Sequence, residues 1–479
     1  MASLIPVLLG LTLSLGAHAT PPPQPAHPSP PSPPPASDAL TITVKPHVQY
    51  QQIDGIGVSE AFQRSNVLYG LNEPYRTEVL DLLFTTEGAG LTILRNGIGS
   101  SVSNPWDLMA SIAPVPPASN SSALNFIPLP NDDQHQVWLA KQAKARGTNY
   151  FYADAWSADP YMKTNNNENF GGNLCGVRNT SCATGDWRQS YASKLIRFLQ
   201  LYKAQGITYD YVGFLNEPDF NASYAGMLSD GLQAADFIEV LAPALKKAGL
   251  RTEIACCEGT GWDISRQLLE GVQSAGQEKN IGLVTSHGYS SAPGAPLNTS
   301  KKVWQTEWST FDATNYDWYS TGKSSDGLAW ANNIQKGFRD SNLNGHIYWW
   351  GAANASDNEP LIFINNTAEV RVTARLWAHA HFGSKFVRKD AHRIEATIGS
   401  AALNVSAFQN VDKSISVQII NNGNTSQDVV VKGFAPRGRI STFLTNNANN
   451  LTRGEARVDR QGARASVPAF SLLSFLYTR

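Results

Sequence analysis

Short apolar runs of strand character alternate with helix-patterned segments along the middle of the chain. Residues 91–94, 150–153, 212–215, 253–256, 283–285, 303–306 and 347–350 are rich in aromatic, β-branched and aliphatic side chains over strand-like lengths. Amphipathic stretches of helical period lie between them, among them 137–145, 189–204, 232–248 and 327–339. Strands alternating with helices predict a parallel sheet, and eight such units close as a (β/α)8 TIM barrel, an α/β fold. Beyond residue 375 the texture changes. Segments 405–408, 415–421, 429–432, 440–444 and 471–476 are separated by Asn, Gly and Ser turns, and no helical pattern follows residue 385. They predict an attached side β-sandwich domain, completed by the alternating residues 40–50, with 52–58 as the next strand. The expected organisation is a signal peptide (1–19), a Pro-rich linker (20–37), N-terminal strands joining the sandwich (38–55), the catalytic barrel (56–375) and the C-terminal sandwich (376–479).

Two of the barrel runs end in a carboxylate. The aromatic and aliphatic run over 209–215 delivers Asn216-Glu217-Pro218, and Pro218 cannot donate a ladder hydrogen bond, so the strand stops beside Glu217. Residues 301–309 repeat the design, ending in Glu307 between Trp304 and Trp308. In a parallel barrel all C-terminal strand ends open on one face, so the 90 residues between these glutamates become a short distance in space. One carboxyl held protonated and one held ionised is the equipment of a glycosidase. A single glutamate on a strand end is as readily an ion-pair partner. The pair in these two contexts is not. Glu60, Glu87, Glu168, Glu258 and Glu359 lack either context and rank behind, although Glu258 follows the fifth strand closely.

The two motifs resemble the acid/base and nucleophile motifs of the retaining barrel glycosidases. Ser59-Glu60-Ala61-Phe62-Gln63-Arg64, Leu94-Arg95-Asn96-Gly97-Ile98-Gly99, Ala155-Trp156-Ser157 and Tyr348-Trp349-Trp350-Gly351 narrow the likeness. Together they resemble glycoside hydrolase family 30 and, within it, the fungal xylanase branch, from about residue 40 to the C-terminus. The resemblance implies a retaining β-1,4-xylanase acting on xylan or glucuronoxylan, either an endo-xylanase cutting internally or a xylobiohydrolase trimming pairs of xylose from a chain end, with Glu217 as acid/base and Glu307 as nucleophile. It places Arg95 beside the nucleophile, a hydrogen bond from Tyr289 to it, and the Asn216 amide on the sugar hydroxyl next to the anomeric carbon. Trp156 and Trp350 become walls of the subsite that holds the ring being cleaved. Trp349 should point away, because strand neighbours alternate faces. Arg64 matches an arginine that holds the glucuronate side group of xylan, and an Arg fork suits a carboxylate. The loop after the eighth strand, 351–359, contains no Arg or Lys to do this instead. His287 is either a sugar contact or a satisfied strand-end histidine. Action on β-1,6-galactan or β-1,6-glucan, also found in the family, is the enzymatic alternative, and a non-catalytic carbohydrate-binding barrel is the other.

The formal net charge of −1, with 16% charged residues, argues against nucleic-acid or anionic-membrane partners. An aromatic content of 10%, including 12 Trp, suits sugar-ring stacking as well as core packing. Leu-rich residues 4–16 followed by Ala17-His18-Ala19 read as a secretory signal, without Lys or Arg before the apolar part, and no later run has membrane-spanning length. Residues 20–37, nearly all Pro, Ser, Ala and His, read as an extended linker. A secreted, extracellular monomer is expected. Sequons at Asn120, Asn179, Asn298, Asn354, Asn365, Asn404, Asn424 and Asn450 are expected to carry glycans. A ninth at Asn221 is not, since a glycan so close to Glu217 would crowd the cleft. Cys175 and Cys182 bracket a short loop and are the expected disulfide, while adjacent Cys256 and Cys257 read as buried thiols. No Cys or His spacing suggests a metal, and the chemistry requires no cofactor.

Overall fold

The computed structural model describes residues 39–103, 108–434 and 438–479. The expected signal peptide and Pro-rich linker lie outside the described residues. Among the described residues the first element is β1 (Leu40–Ile53), and the next eight strands form the barrel: β2 (Gly55–Ser59), β3 (Ile93–Ile98), β4 (Tyr150–Ala155), β5 (Tyr211–Val212), β6 (Glu253–Gly259), β7 (Ile281–His287), β8 (Lys302–Glu307) and β9 (Gly345–Ala353). Each pairs in parallel with the next, and β9 closes the ring by pairing in parallel with β8 and β2. Helices Gln136–Ala145, Arg188–Ala204, Gly231–Lys247, Trp262–Ser274 and Gly327–Asp340 cover the outside. The chain is an α/β TIM barrel with a side β-sandwich, as the alternation predicts.

Aromatic side chains fill the barrel. Tyr150, Tyr152, Tyr211 and Trp304 pack with Ile93, Leu283 and Ile347 into an apolar plug, as closed eight-stranded barrels require. The plug is sealed below by Asp54, which accepts hydrogen bonds from Tyr150 Oη at 2.9 Å, Trp304 Nε1 at 2.9 Å and Lys302 Nζ at 2.5 Å. That buried carboxylate interrupts the run expected as one strand over 52–58. Its first residues stay in β1, and β2 starts at Gly55.

The run expected as a strand to residue 215 leaves the ladder after Val212. Gly213 N–H still reaches Ala153 O at 2.8 Å, but the chain then turns so that Glu217 N–H donates to Glu258 O at 2.8 Å. The helix Trp262–Ser274 is strongly amphipathic, burying Trp262, Ser265, Leu268, Leu269 and Val272, and it contains Gly271. The glycine is there because a Cβ would strike the backbone of Gly231 where two helices touch.

After β9 come β10 (Pro360–Asn366) and β11 (Glu369–Val372), and then the strands of the side domain: β12 (Ala391–Ile398), β13 (Leu403–Gln409), β14 (Ile415–Asn421), β15 (Gln427–Lys432), β16 (Arg439–Asn446), β17 (Asn449–Glu455), β18 (Arg457–Asp459), β19 (Gly462–Val467) and β20 (Ser471–Thr478). β1 lies between β12, antiparallel, and β15, parallel, so the first strand among the described residues belongs to the side domain. Alternate side chains there, including Ile42, Val44, Val417, Ile419, Val431 and Phe475, make a second core.

Cys175 and Cys182 form a disulfide with Cα atoms 5.8 Å apart. Cys256 and Cys257 are also paired, which corrects the reading of them as thiols: a cis peptide bond brings their Cα atoms to 3.0 Å. Of the sequon asparagines, Asn179, Asn298, Asn354, Asn365, Asn424 and Asn450 are exposed, as is Asn221. Asn120 and Asn404 are half-buried, their amides donating to Asp186 O at 2.9 Å and Asn332 Oδ1 at 3.1 Å.

Candidate active site

The C-terminal strand ends open into a cleft of about 680 Å³ with Glu217 and Glu307 in its wall. Glu307 is the last residue of β8. Its Oε1 accepts from Tyr289 Oη at 3.0 Å and its Oε2 from Arg95 Nη1. Glu217 stands on the turn after β5 with φ 47°, a left-handed conformation that side chains other than Gly adopt at a cost. Its Oε2 accepts from Tyr224 Oη at 3.0 Å, and its Oε1 lies 3.1 Å from His287 Nδ1. One oxygen of each glutamate and one His287 nitrogen lie within 4.8 Å of one another.

Behind the two glutamates is a dry network of charges. Arg95, on β3, is wholly buried and donates from Nη2 to Asp154 Oδ2 at 2.6 Å and to Asn216 Oδ1 at 2.7 Å. Glu258, at the end of β6 with φ 58°, accepts from Tyr152 Oη, from Thr306 Oγ1 at 2.5 Å and from His287 Nε2 at 2.6 Å. Burial alone would raise the Glu258 carboxyl, but the Arg95 charge and the His287 and Thr306 hydrogen bonds pull it down to about 2. Burial likewise works against a charged His287. The charge of Glu307 and the hydrogen bonds to Glu217 and Glu258 outweigh it and raise the imidazole to about 10. His287 is therefore an imidazolium at neutral pH, donating from both nitrogens. Burial raises the Glu307 carboxyl, opposed by His287 and Arg95 and reinforced by Glu217. Burial also lifts Asp154 to about 7 against the pull of Arg95.

Of the two readings of His287, a sugar contact or a satisfied strand-end histidine, this arrangement matches the second. The histidine is fully buried, with both ring nitrogens on carboxylates, and positions Glu217 rather than touching substrate. Glu217, His287 and Glu307 are also the acid and histidine grouping among the described residues with spacing for a cation. Arg95 and Asn216 stand with His287 behind the cleft, whereas Arg64, Trp156, Tyr289 and Trp350 line it.

Aromatic rings wall one half of the cleft. Phe62 meets Trp156 edge-on with ring centres 5.3 Å apart, and Arg95 lies over the Trp156 ring at 4.4 Å. The Arg64 guanidinium covers Trp350 at 4.0 Å and donates from Nη1 to Phe62 O at 2.9 Å. Trp349 also faces the cleft, stacked on Trp350 at 4.8 Å, which corrects the expectation that it points away. The cause is a bulge in the β2–β9 pairing: Val58 opposes Tyr348 but Ser59 opposes Trp350, so alternation fails at Trp349.

Sequence reasoning passed over three residues here and ranked Glu359, Glu258 and Glu60 behind the catalytic pair. Tyr224, Phe220 and Phe311 carried no motif. Glu359 lines the cleft, accepts from Trp349 Nε1 at 3.1 Å, and is lifted to about 7 by burial and the neighbouring Asp357. Glu258 was noticed for its place after a strand, but nothing in its local sequence shows that three other strands converge on it. Glu60 has a structural role, accepting from Ala352 N–H at 2.8 Å while burial pushes it up to about 8.

The glycosyl hydrolase family 59 model matches residues 53–384, and that of the glycosyl hydrolase family 30 β-sandwich domain matches residues 390–475. Among solved structures, the catalytic domain of GH30 xylanase C from Talaromyces cellulolyticus is 40% identical, with a TM-score of 0.85 over 92% of this chain and 100% of that one. An endo-1,6-β-D-glucanase of Neurospora crassa is 28% identical over 45% of this chain and 44% of its own length, so the match spans less than half of that enzyme. Glucuronoxylanase XynC of Bacillus subtilis is 23% identical over 73% of this chain and 78% of its own length.

Proposed function

Because the chain belongs to glycoside hydrolase family 30, to which both its sandwich domain and its 40%-identical structural relative belong, we propose that it is a secreted retaining glycosidase cleaving the β-1,4 bonds of xylan and glucuronoxylan. The observation that carries the mechanism is the approach of Glu217 and Glu307. One oxygen of each lies within 4.8 Å of the other, a close approach that suits the roughly 5–5.5 Å separation of retaining carboxyl groups better than the about 6.5–9.5 Å of inverting ones.

Glu307 attacks the anomeric carbon as Glu217 protonates the departing glycosidic oxygen. A glycosyl ester forms on Glu307 and the C–O bond to the leaving chain breaks. Glu217, now a carboxylate, takes a proton from the water that cleaves the ester, and both side chains return to their starting states. Arg95 and Tyr289, each donating to one Glu307 oxygen, hold the nucleophile against rotation and favour its charged form. His287 Nδ1 meets Glu217 Oε1 and Tyr224 Oη donates to Oε2, so both oxygens of the acid are held in place.

The xylan assignment is supported by the identity to the Talaromyces xylanase and by the presence of Arg64, the residue matched to glucuronate recognition, in the cleft wall. The Leu-rich N-terminus and the exposed sequons support secretion and glycosylation. A second reading, β-1,6-glucan or β-1,6-galactan as substrate, is favoured by the likeness to the Neurospora glucanase. Incubation with glucuronoxylan, unsubstituted xylan, β-1,6-glucan and β-1,6-galactan, with products identified by mass, separates the two. Xylo-oligosaccharides each carrying one glucuronate are expected. Products from a β-1,6-linked polymer alone would replace xylan with the second reading.

A further inference from the structure

The two halves of the cleft are built differently. On one side of the glutamates Phe62, Trp156, Trp349 and Trp350 are buried and pack on one another as a closed wall. On the other side the wall comes from the turns that follow β5, β6, β7 and β8, and its rings stand in solvent. Phe220 is 49% exposed and Phe311 61% exposed, although both line the cleft. Phe311 stacks on Tyr289 with ring centres 5.5 Å apart and planes 28° from parallel, so the ring that reaches Glu307 also supports the exposed one. A polar strip also lines this half, where Asp219 accepts from Thr260 N–H at 3.0 Å and from its hydroxyl, and Thr260 and Ser290 hydroxyls pair at 2.9 Å. Large exposed apolar rings in a cleft mark a binding surface. Flat rings beside a strip of hydroxyls and a carboxylate are complementary to a pyranose, apolar on its faces and polar at its edge.

We infer that Phe220 and Phe311 form the platform for the leaving part of the polysaccharide, with the Asp219, Thr260 and Ser290 strip meeting its hydroxyls. The assignment of sides follows from chemistry. Phe220 and Asp219 come directly after Glu217, and the acid must face the bridging oxygen that carries the leaving sugar. The closed tryptophan wall encloses the ring under attack. The open half lets the leaving polymer run on beyond the scissile bond. The same platform receives an acceptor sugar once the glycosyl ester has formed: the acceptor hydroxyl attacks the anomeric carbon, its proton passes to the Glu217 carboxylate, and the ester bond to Glu307 breaks. This inference rests on the acid and nucleophile roles given above.

The test compares two substrates sharing one glycone, xylohexaose and β-xylobiosyl fluoride, whose leaving fluoride is too small to reach either phenylalanine. For Phe311→Ala and Phe220→Ala the ratio of kcat/KM on xylohexaose to that on the fluoride is expected to fall about tenfold, one stacking contact each. Transfer to added xylobiose, measured against hydrolysis, should fall with it. Both rings are exposed, and a thermal midpoint matching the wild type checks that each variant is folded. An unchanged ratio, whether both substrates suffer alike or neither does, overturns the inference. If the wild type ignores xylohexaose and the fluoride, the xylan assignment fails instead, and the comparison is read on a β-1,6-gluco-oligosaccharide against its glucosyl fluoride.

Discussion

His287 Nδ1 lies 3.1 Å from Oε1 of Glu217, and the opposite ring nitrogen is 2.6 Å from Glu258. The imidazolium thus carries the acid/base residue on one side and is anchored by a buried carboxylate on the other. Both groups tie stability to pH, with opposite signs. His287 has a folded pKa raised from 6.5 to about 10, so its contribution is complete below 6.5 and is lost as pH rises towards 10. Glu258 is lowered from 4.5 to about 2, so its contribution is complete above 4.5 and is lost as pH falls towards 2. Thermal midpoints measured from pH 2 to 10 should show a smaller alkaline decline in His287→Gln and a smaller acid decline in Glu258→Gln than in the wild type. Curves parallel to the wild type would remove the charge assignments.

The two glutamates should fail differently. Glu217→Gln cannot protonate a sugar leaving group, and its kcat on the polysaccharide should drop by about 10²–10⁴. A glycosyl fluoride needs no acid, so Glu217→Gln keeps much of its attack step on that substrate. Glu307→Gln has no nucleophile and should lose turnover on both. Steady-state kinetics with the two substrates check the assignment, and it is reversed if Glu307→Gln is the variant rescued by the fluoride.

Gly213 makes room for the charge network. A Cβ there would strike Asp154 Oδ1 and Tyr152 Oη, the groups that hold Arg95 and Glu258. Gly213→Ala overpacks a dry polar site and should cost about 1–3 kcal/mol of stability. Activity should fall as well, because Arg95 moves with its partner. Urea denaturation and kcat measured on the same preparation test this, and a variant with wild-type stability would show that the network yields freely.

Arg64 should matter only for substituted chains. Its guanidinium lies over Trp350 in the cleft wall. Arg64→Ala should lose about tenfold or more in kcat/KM on glucuronoxylan, the worth of one charge-assisted contact, and much less on unsubstituted xylan. Equal losses on both polymers would assign Arg64 to packing.

What the sequence revealed depended on whether a signal was local. The barrel was legible because each β/α unit writes its own short pattern. Glu217 and Glu307 stood out because Pro218 and the flanking tryptophans mark strand ends within a few residues. The anchoring of Glu217 was hidden, since its partners His287 and Glu258 lie 70 and 41 residues downstream, and the Cys256-Cys257 pair before Glu258 carries no sign of what the carboxylate meets. Trp349 was misread because a bulge is a property of two paired strands, and one strand's alternation carries no trace of it. Asp54 and Gly213 are comparable cases. Each is explained only by side chains arriving from other strands.

The central claim is that Glu217 and Glu307 act by double displacement, and the anomeric configuration of the first product tests it most directly. Proton NMR of the digest, recorded before mutarotation, should show the β-anomer of the new reducing end on whichever β-linked polymer the enzyme cuts. An α-anomer appearing first would mean inversion, and with it that Glu307 is not a nucleophile despite its approach to Glu217.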